Sequence, residues 1–100
     1  PFTPLSVMPA DELAAMLAKP CNARLAVLAP LSLLENCRAD IALAIAAASH
    51  PDDYARLLYS SLHRLDASGA DRMLVAAPPD GPQWEAVRDR LRRAETAKIG

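Results

Sequence analysis

The sequence predicts an α/β domain of the three-layer Rossmann or flavodoxin-like class, with a mostly parallel sheet of about four strands and helices on both faces. Short apolar runs alternate along the chain with segments of helical periodicity. One run, residues 24–29, is apolar throughout after its first residue, which is typical of a strand buried on both faces of a parallel sheet. Strands that alternate with helices favour right-handed crossovers.

Four strands are predicted from these runs. Leu5–Met8, residues 24–29 and residues 73–77 each end directly before a proline. The fourth run, residues 41–47, alternates large aliphatic residues with alanine. Its alanine and leucine content also favours a helix, so we interpret it as a buried strand while a helix stays open.

The predicted helices fall between the strands. Residues 11–18 carry Leu13, Met16 and Leu17 on one face, and residues 31–36 suffice for one or two turns. The longest helix is predicted over residues 52–67, after a cap and a proline, and Ser68-Gly69 ends it. Its stripe comprises Tyr54, Leu58, Leu62 and Leu65, with Ala55 and Tyr59 beside it.

A last helix is predicted after the turn Asp80-Gly81-Pro82. Four apolar residues share one of its faces: Trp84, Val87, Leu91 and Ala94. The same helix contains the basic cluster Arg88–Arg93, within a stretch, residues 85–98, of five basic and three acidic residues. We expect Glu85 to pair with Arg88, and Asp89 with Arg92 or Arg93. A solvated helix face is the simpler interpretation, and a contact with RNA phosphates or a partner domain is the alternative.

Length and composition limit the function classes. One hundred residues make one domain, and 11 basic against 12 acidic residues give a net charge of −1, so no direct binding of nucleic acid is expected. The longest apolar run, residues 41–48, is too short for a membrane span, and we expect no secretory signal. We expect a cytoplasmic protein, and the start at Pro1 without a methionine suggests a fragment or a trimmed chain.

Phosphate binding of the Rossmann type needs glycines after the first strand. Here the sequence is Met8-Pro9-Ala10-Asp11-Glu12, and the glycines of the chain are Gly69, Gly81 and Gly100. Neither a dinucleotide fingerprint nor a P-loop is present. The sequence therefore predicts no cofactor in this chain.

Metal-binding and catalytic residues are also not predicted. His50, Asp52 and Asp53 lie where a helix N-terminus favours a cap and negative charge. His63 is interpreted as a solvated histidine, and Cys21 and Cys37 as reduced thiols. The chain is thus expected to contain no catalytic, cofactor-binding or metal site residues.

The ordered motifs of residues 50–94 resemble those of the C-terminal domain of two-domain L-threonylcarbamoyl-AMP synthases. The first is the Tyr-Ala-x-x-Leu-Tyr helix of residues 54–59, with its continuation to Leu65-Asp66. The second is the strand Asp71-Arg72-Met73-Leu74, and the third is the helix Ala86-Val87-Arg88-Asp89-Arg90-Leu91. Before residue 50 the likeness is weaker but collinear.

The resemblance implies an enzyme that makes threonylcarbamoyl-AMP from threonine, bicarbonate and ATP, with magnesium, for threonylcarbamoyladenosine modification of tRNA. The resemblance further implies that the chemistry belongs to an N-terminal catalytic YrdC-like domain, and we expect this chain to be the accessory domain that docks on it and helps to cover its active site. The expected organisation is residues 1–4 as the end of a linker, 5–97 as the domain and 98–100 as a tail. The alternative is a free-standing flavodoxin-like interaction or regulatory module.

Overall fold

A computed structural model describes residues 3–19, 23–35 and 41–96 of the chain. Strands and helices alternate as the sequence predicts. The strands are β1 (Leu5–Met8), β2 (Leu25–Ala29), β3 (Ile41–Ala46) and β4 (Arg72–Ala76). The helices are α1 (Ala10–Leu17), α2 (Leu31–Leu34), α3 (Pro51–Asp66) and α4 (Glu85–Thr96), the last preceded by a 3-10 turn, Pro82–Trp84.

The four strands form one parallel sheet in the order β1-β4-β2-β3. β4, the last strand in sequence, therefore lies between β1 and β2. Its Met73 is level with Leu5 of β1 and with Ala26 of β2. The predicted fold class, an α/β fold with helices on both faces of a parallel sheet, is confirmed.

The two central strands have both faces buried, because helices cover the sheet on each side. On one face Ala26, Leu28, Met73 and Val75 pack with α3 and α4. On the other face the intervening residues of the same strands pack with α1 and α2: Leu25, Val27, Ala29, Leu74 and Ala76. The continuous apolar run of β2 is therefore explained by burial on both faces of the sheet, as predicted.

The ambiguous segment 41–47 is a strand. Ile41–Ala46 pairs with β2, and the following Ala47 N–H donates a 2.8 Å hydrogen bond to the Ala29 carbonyl oxygen. Leu43 and Ile45 point toward the α3 face, whereas Ala44 and Ala46 are exposed. From Leu43 onward the alternation of large and small residues reflects these two sides, whereas Ile41, before a register shift against β2, packs on the other face. Pairing with β2 outweighs the helix propensity of alanine.

Two details of the helices differ from expectation. Trp84 is buried beside Val87 and Leu91, but it lies in the 3-10 turn before α4. Tyr59, expected beside the apolar stripe of α3, is 74% exposed. The end of α3 follows the prediction, since Gly69 has a φ of +82°, a conformation that glycine adopts without steric cost. None of the helices described has the length and apolar character needed to cross a bilayer.

Candidate functional site

A crevice opens at the carboxyl ends of β2, β3 and β4. It has a volume of about 370 Å³ and is lined by residues 30–32, 47–49 and 76–79, together with Tyr54 and Trp84. The chain leaves the sheet here because Pro30 and Pro78 have no N–H to continue the strand ladder. The carboxyl end of a parallel sheet is also where open α/β folds bind their ligands.

Tyr54 and Trp84 form the aromatic part of this crevice. Their ring centroids are 5.5 Å apart and the rings are almost perpendicular, at 86°. Both side chains are about 95% buried, so the edge-to-face contact adds to the free energy gained from burial, typically by about 0.5–1.5 kcal/mol. The pair connects the first turn of α3 to the turn before α4.

The hydroxyl group of Tyr54 is buried and has no hydrogen-bond partner in the described structure. Burial raises the pKa of Tyr54 to about 12, because the charged phenolate is poorly solvated there. Tyr54 is therefore a neutral phenol at physiological pH and cannot act as a general base. Burying a hydroxyl group without a hydrogen-bond partner lowers the stability of a protein, so this arrangement needs an explanation.

The crevice carries no charged side chain among the residues that line it. At its rim the side chain of Leu31, the first residue of α2, is 60% exposed. The lining therefore suits a neutral, largely apolar surface and not a phosphate or a carboxylate.

Arg88 of α4 holds one wall of the crevice in place. Its guanidinium donates hydrogen bonds to the carbonyl oxygens of Pro79, at 2.8 Å, and Gly81, at 3.2 Å. The expected pairing of Glu85 with Arg88 is therefore wrong: the arginine reaches backward to the loop because its planar fork can bind two carbonyl groups at once. The expected pair of Asp89 and Arg93 is present, at 3.0 Å.

The start of α3 holds the residues considered for a cap or a metal. His50 precedes the helix but makes no side-chain capping bond, so the predicted cap is wrong in that respect. Asp52 and Asp53 do lie in the first turn, where negative charge is favourable, and Asp53 contacts Arg56 at 3.1 Å. No group of three or more metal-ligating side chains occurs in the described residues.

The loop after β1 does not fit a nucleotide phosphate. Asp11 and Glu12 occupy the first turn of α1, and Pro9 precedes it. Two carboxylates at a helix N-terminus repel the anion that such a terminus otherwise attracts. The charge at this helix start is therefore unfavourable for a phosphate group.

Of the remaining candidates, His63 lies apart from the crevice. His63 is exposed on α3 as predicted, and its ring meets that of Tyr59 edge-on at 4.5 Å. Cys21 and Cys37 fall outside the described residues, so their predicted reduced state stays a prediction.

The crevice was not predicted from the sequence. Tyr54 and Trp84 were identified only as packing residues, and Leu31 as part of a short helix. One signal was available: Pro30 and Pro78 follow neighbouring strands, and the carboxyl ends of parallel strands meet at one edge of the sheet. Whether these two strands lie side by side, however, depends on the strand order of the sheet.

Comparison with curated proteins and with solved structures gave no match. Comparison with protein families gave a match over residues 1–96 to the family described as "Threonylcarbamoyl-AMP synthase, C-terminal domain". The match spans nearly the whole chain, including the part before residue 50 where the motif resemblance was weak. The chain belongs to the family of threonylcarbamoyl-AMP synthase C-terminal domains.

Proposed function

We propose that this chain is the accessory domain of an enzyme that makes threonylcarbamoyl-AMP from threonine, bicarbonate and ATP, for the modification of tRNA in the cytoplasm. The family match over residues 1–96 carries this proposal. In it, the N-terminal YrdC-like domain binds ATP and magnesium and performs the reaction. The present chain contributes no catalytic group and no direct contact with nucleic acid.

We propose further that the crevice at the carboxyl ends of β2, β3 and β4 docks on that catalytic part. Its uncharged lining and the exposed Leu31 side chain favour contact with an apolar surface of another domain. The unpartnered Tyr54 hydroxyl supports this role, because a small rearrangement of the crevice on docking would let it find a partner.

Docking of this kind affects the enzyme because the domain acts as a lid over the active site. Domains in one chain meet through modest interfaces, and relative motion between them is the usual behaviour. A domain that closes over an active site excludes water and orders substrates, so its disturbance changes kcat and KM together. An accessory domain thus affects turnover without supplying a reacting residue.

The test is a surface substitution in the complete synthase. Leu31→Asp places a charge at the rim of the crevice and is expected to lower the rate of threonylcarbamoyl-AMP formation several-fold. Tyr59→Asp is the matched control, since Tyr59 is a large exposed apolar residue that does not line the crevice. Urea unfolding of both variants establishes that the domain remains folded.

A second comparison tests the accessory role itself. The catalytic domain alone should turn over far more slowly than the complete enzyme, and adding this domain as a separate chain should restore little. Full activity of the catalytic domain alone would contradict the lid role and favour an independent regulatory module. Equal rates for Leu31→Asp, Tyr59→Asp and the wild type would contradict docking through the crevice.

A further inference from the structure

Tyr54 lies between two hollows of the domain. Its side chain lines the crevice of about 370 Å³ and also a groove of about 130 Å³ beside β3 and α3. Ala47 and Ala48 line both hollows as well, so these three residues form the wall between them. The Tyr54 hydroxyl is hidden from solvent and has no hydrogen-bond partner, although the side chain borders both hollows.

The side chains that line the two hollows offer this hydroxyl no strong acceptor. Neither hollow has a carboxylate or an amide among its lining side chains, and the serine hydroxyls there do not bond to Tyr54. The charged side chain of the groove is that of Arg64, whose guanidinium can only donate hydrogen bonds. Buried polar groups of native proteins normally have a partner. We therefore expect the acceptor to come from outside the domain.

The lining of the crevice determines which acceptor fits. A carboxylate would lose its hydration there without a cation to pair with, which is strongly unfavourable. A backbone carbonyl oxygen is neutral, and every residue of a chain carries one. In helices and in central strands this oxygen is already bonded, so the carbonyl groups available to a new donor belong to irregular segments. The crevice therefore fits an uncharged, irregular stretch of chain.

We propose that Tyr54 selects the segment that docks in the crevice, by donating a hydrogen bond from its hydroxyl to a backbone carbonyl oxygen of an uncharged, irregular segment of the catalytic part. This inference rests on the docking proposed above and adds the chemistry of the occupant. Apolar side chains of that segment lie against the exposed Leu31 side chain at the rim.

Docking has to uncover the hydroxyl, and the wall of the crevice suits this movement. Ala47 N–H bonds to the Ala29 carbonyl oxygen at 2.8 Å, at the end of the pairing between β2 and β3. Ala48 lies beyond this bond, is half-buried and carries only a methyl group. A shift of this residue opens the wall without breaking the strand pairing. The hydroxyl is then paired in the docked state alone, so it favours that state.

Removal of the hydroxyl therefore has two effects of opposite sign. Tyr54→Phe removes an unpaired buried donor from the undocked domain, which raises the stability of that domain. The same substitution removes a hydrogen bond from the docked state, which weakens docking. A hydroxyl with only a structural role would leave docking unchanged.

The test measures amide hydrogen exchange at residues 31–32 and 48–49 in the complete synthase. Docking covers these positions of the crevice and slows their exchange. Tyr54→Phe is expected to speed it about two- to tenfold, the effect of one hydrogen bond. Leu31→Asp should speed it as well, because the charge at the rim opposes docking itself. Tyr59→Phe is the matched control at an exposed tyrosine outside the crevice and should exchange like the wild type.

The two crevice variants separate this inference from the docking on which it rests. Wild-type exchange in Tyr54→Phe, together with faster exchange in Leu31→Asp, overturns the role of the hydroxyl and leaves the docking intact. Wild-type exchange in both variants contradicts the docking, and this inference with it. A urea midpoint of the domain that is lower in Tyr54→Phe than in the wild type also overturns the inference, because the hydroxyl then has a partner within the domain.

Discussion

Val7 and Glu95 are 88 positions apart in sequence and are joined by one 2.8 Å hydrogen bond, from the Val7 backbone N–H to the Glu95 carboxylate. Val7 lies on the edge strand β1, and Glu95 lies near the end of the last helix. The bond attaches α4 to the sheet. It also occupies the Val7 N–H, which would otherwise be available to pair with another strand. A single side chain therefore contributes both to stability and to protection of the edge.

Glu95→Ala is expected to lower the free energy of unfolding by about 1–3 kcal/mol, since a hydrogen bond to a charged group is lost and the Val7 N–H is left without it. Urea unfolding measures this change. Glu95→Gln keeps an acceptor oxygen at the same place and is expected to lose clearly less. An equal loss for the two variants would contradict the role of the acceptor.

Tyr54→Phe is expected to raise the urea midpoint at pH 7. The substitution removes a buried hydroxyl that has no partner and whose burial is typically unfavourable by about 1–3 kcal/mol. Tyr59→Phe is the matched control at an exposed tyrosine and should leave the midpoint unchanged. A clear loss of stability in Tyr54→Phe would show that the hydroxyl makes a hydrogen bond in solution.

The same tyrosine predicts a pH dependence in alkali. Burial raises the pKa of Tyr54 from 10.0 to about 12, so the unfolded chain loses this proton at a lower pH than the folded chain does. The free energy of unfolding is therefore unaffected by this group below pH 10 and falls as the pH rises from 10 to 12. The wild type should lose about 2–3 kcal/mol over this range from this group. Tyr54→Phe should lack that part of the loss, whereas Tyr59→Phe should follow the wild type. Urea unfolding at several pH values between 9 and 12 makes the comparison.

Trp84→Ala is expected to destabilise the domain by about 3–5 kcal/mol, because it empties a buried site between the sheet and α4 and removes the edge-to-face contact with Tyr54. This is a large part of the roughly 5–15 kcal/mol that such domains possess. Glu85→Ala, at the adjacent exposed residue, is the control. An unchanged urea midpoint in Trp84→Ala would show that the side chain is not a core anchor.

The isolated chain is expected to fold but to show no ATP-dependent activity. Pro9, Asp11 and Glu12 stand where a phosphate loop would need glycine and an uncharged helix start. The measurement is pyrophosphate release with ATP, threonine and bicarbonate. Release above the blank without enzyme would refute the assignment of the chemistry to another domain.

The sequence by itself determined the kind and order of the elements and the fold class. The positions of Leu58 and Leu65 place them on one side of α3, and the unbroken apolar run of β2 indicates burial on both faces. Such patterns follow from the repeat of about 3.6 residues in a helix and of about two residues in a strand. They can therefore be recognised without knowing which segment packs against them. The family resemblance likewise rests on ordered local motifs.

The tertiary structure alone decided which segments meet. It placed β4 between β1 and β2, paired Ile41–Ala46 with β2 as a strand, and turned Arg88 toward the carbonyl oxygens of Pro79 and Gly81. It also enclosed the Tyr54 hydroxyl without a partner. These features depend on contacts between residues distant in sequence. The local periodicity that specifies a helix or a strand contains no information about which other segment it will pack or pair with.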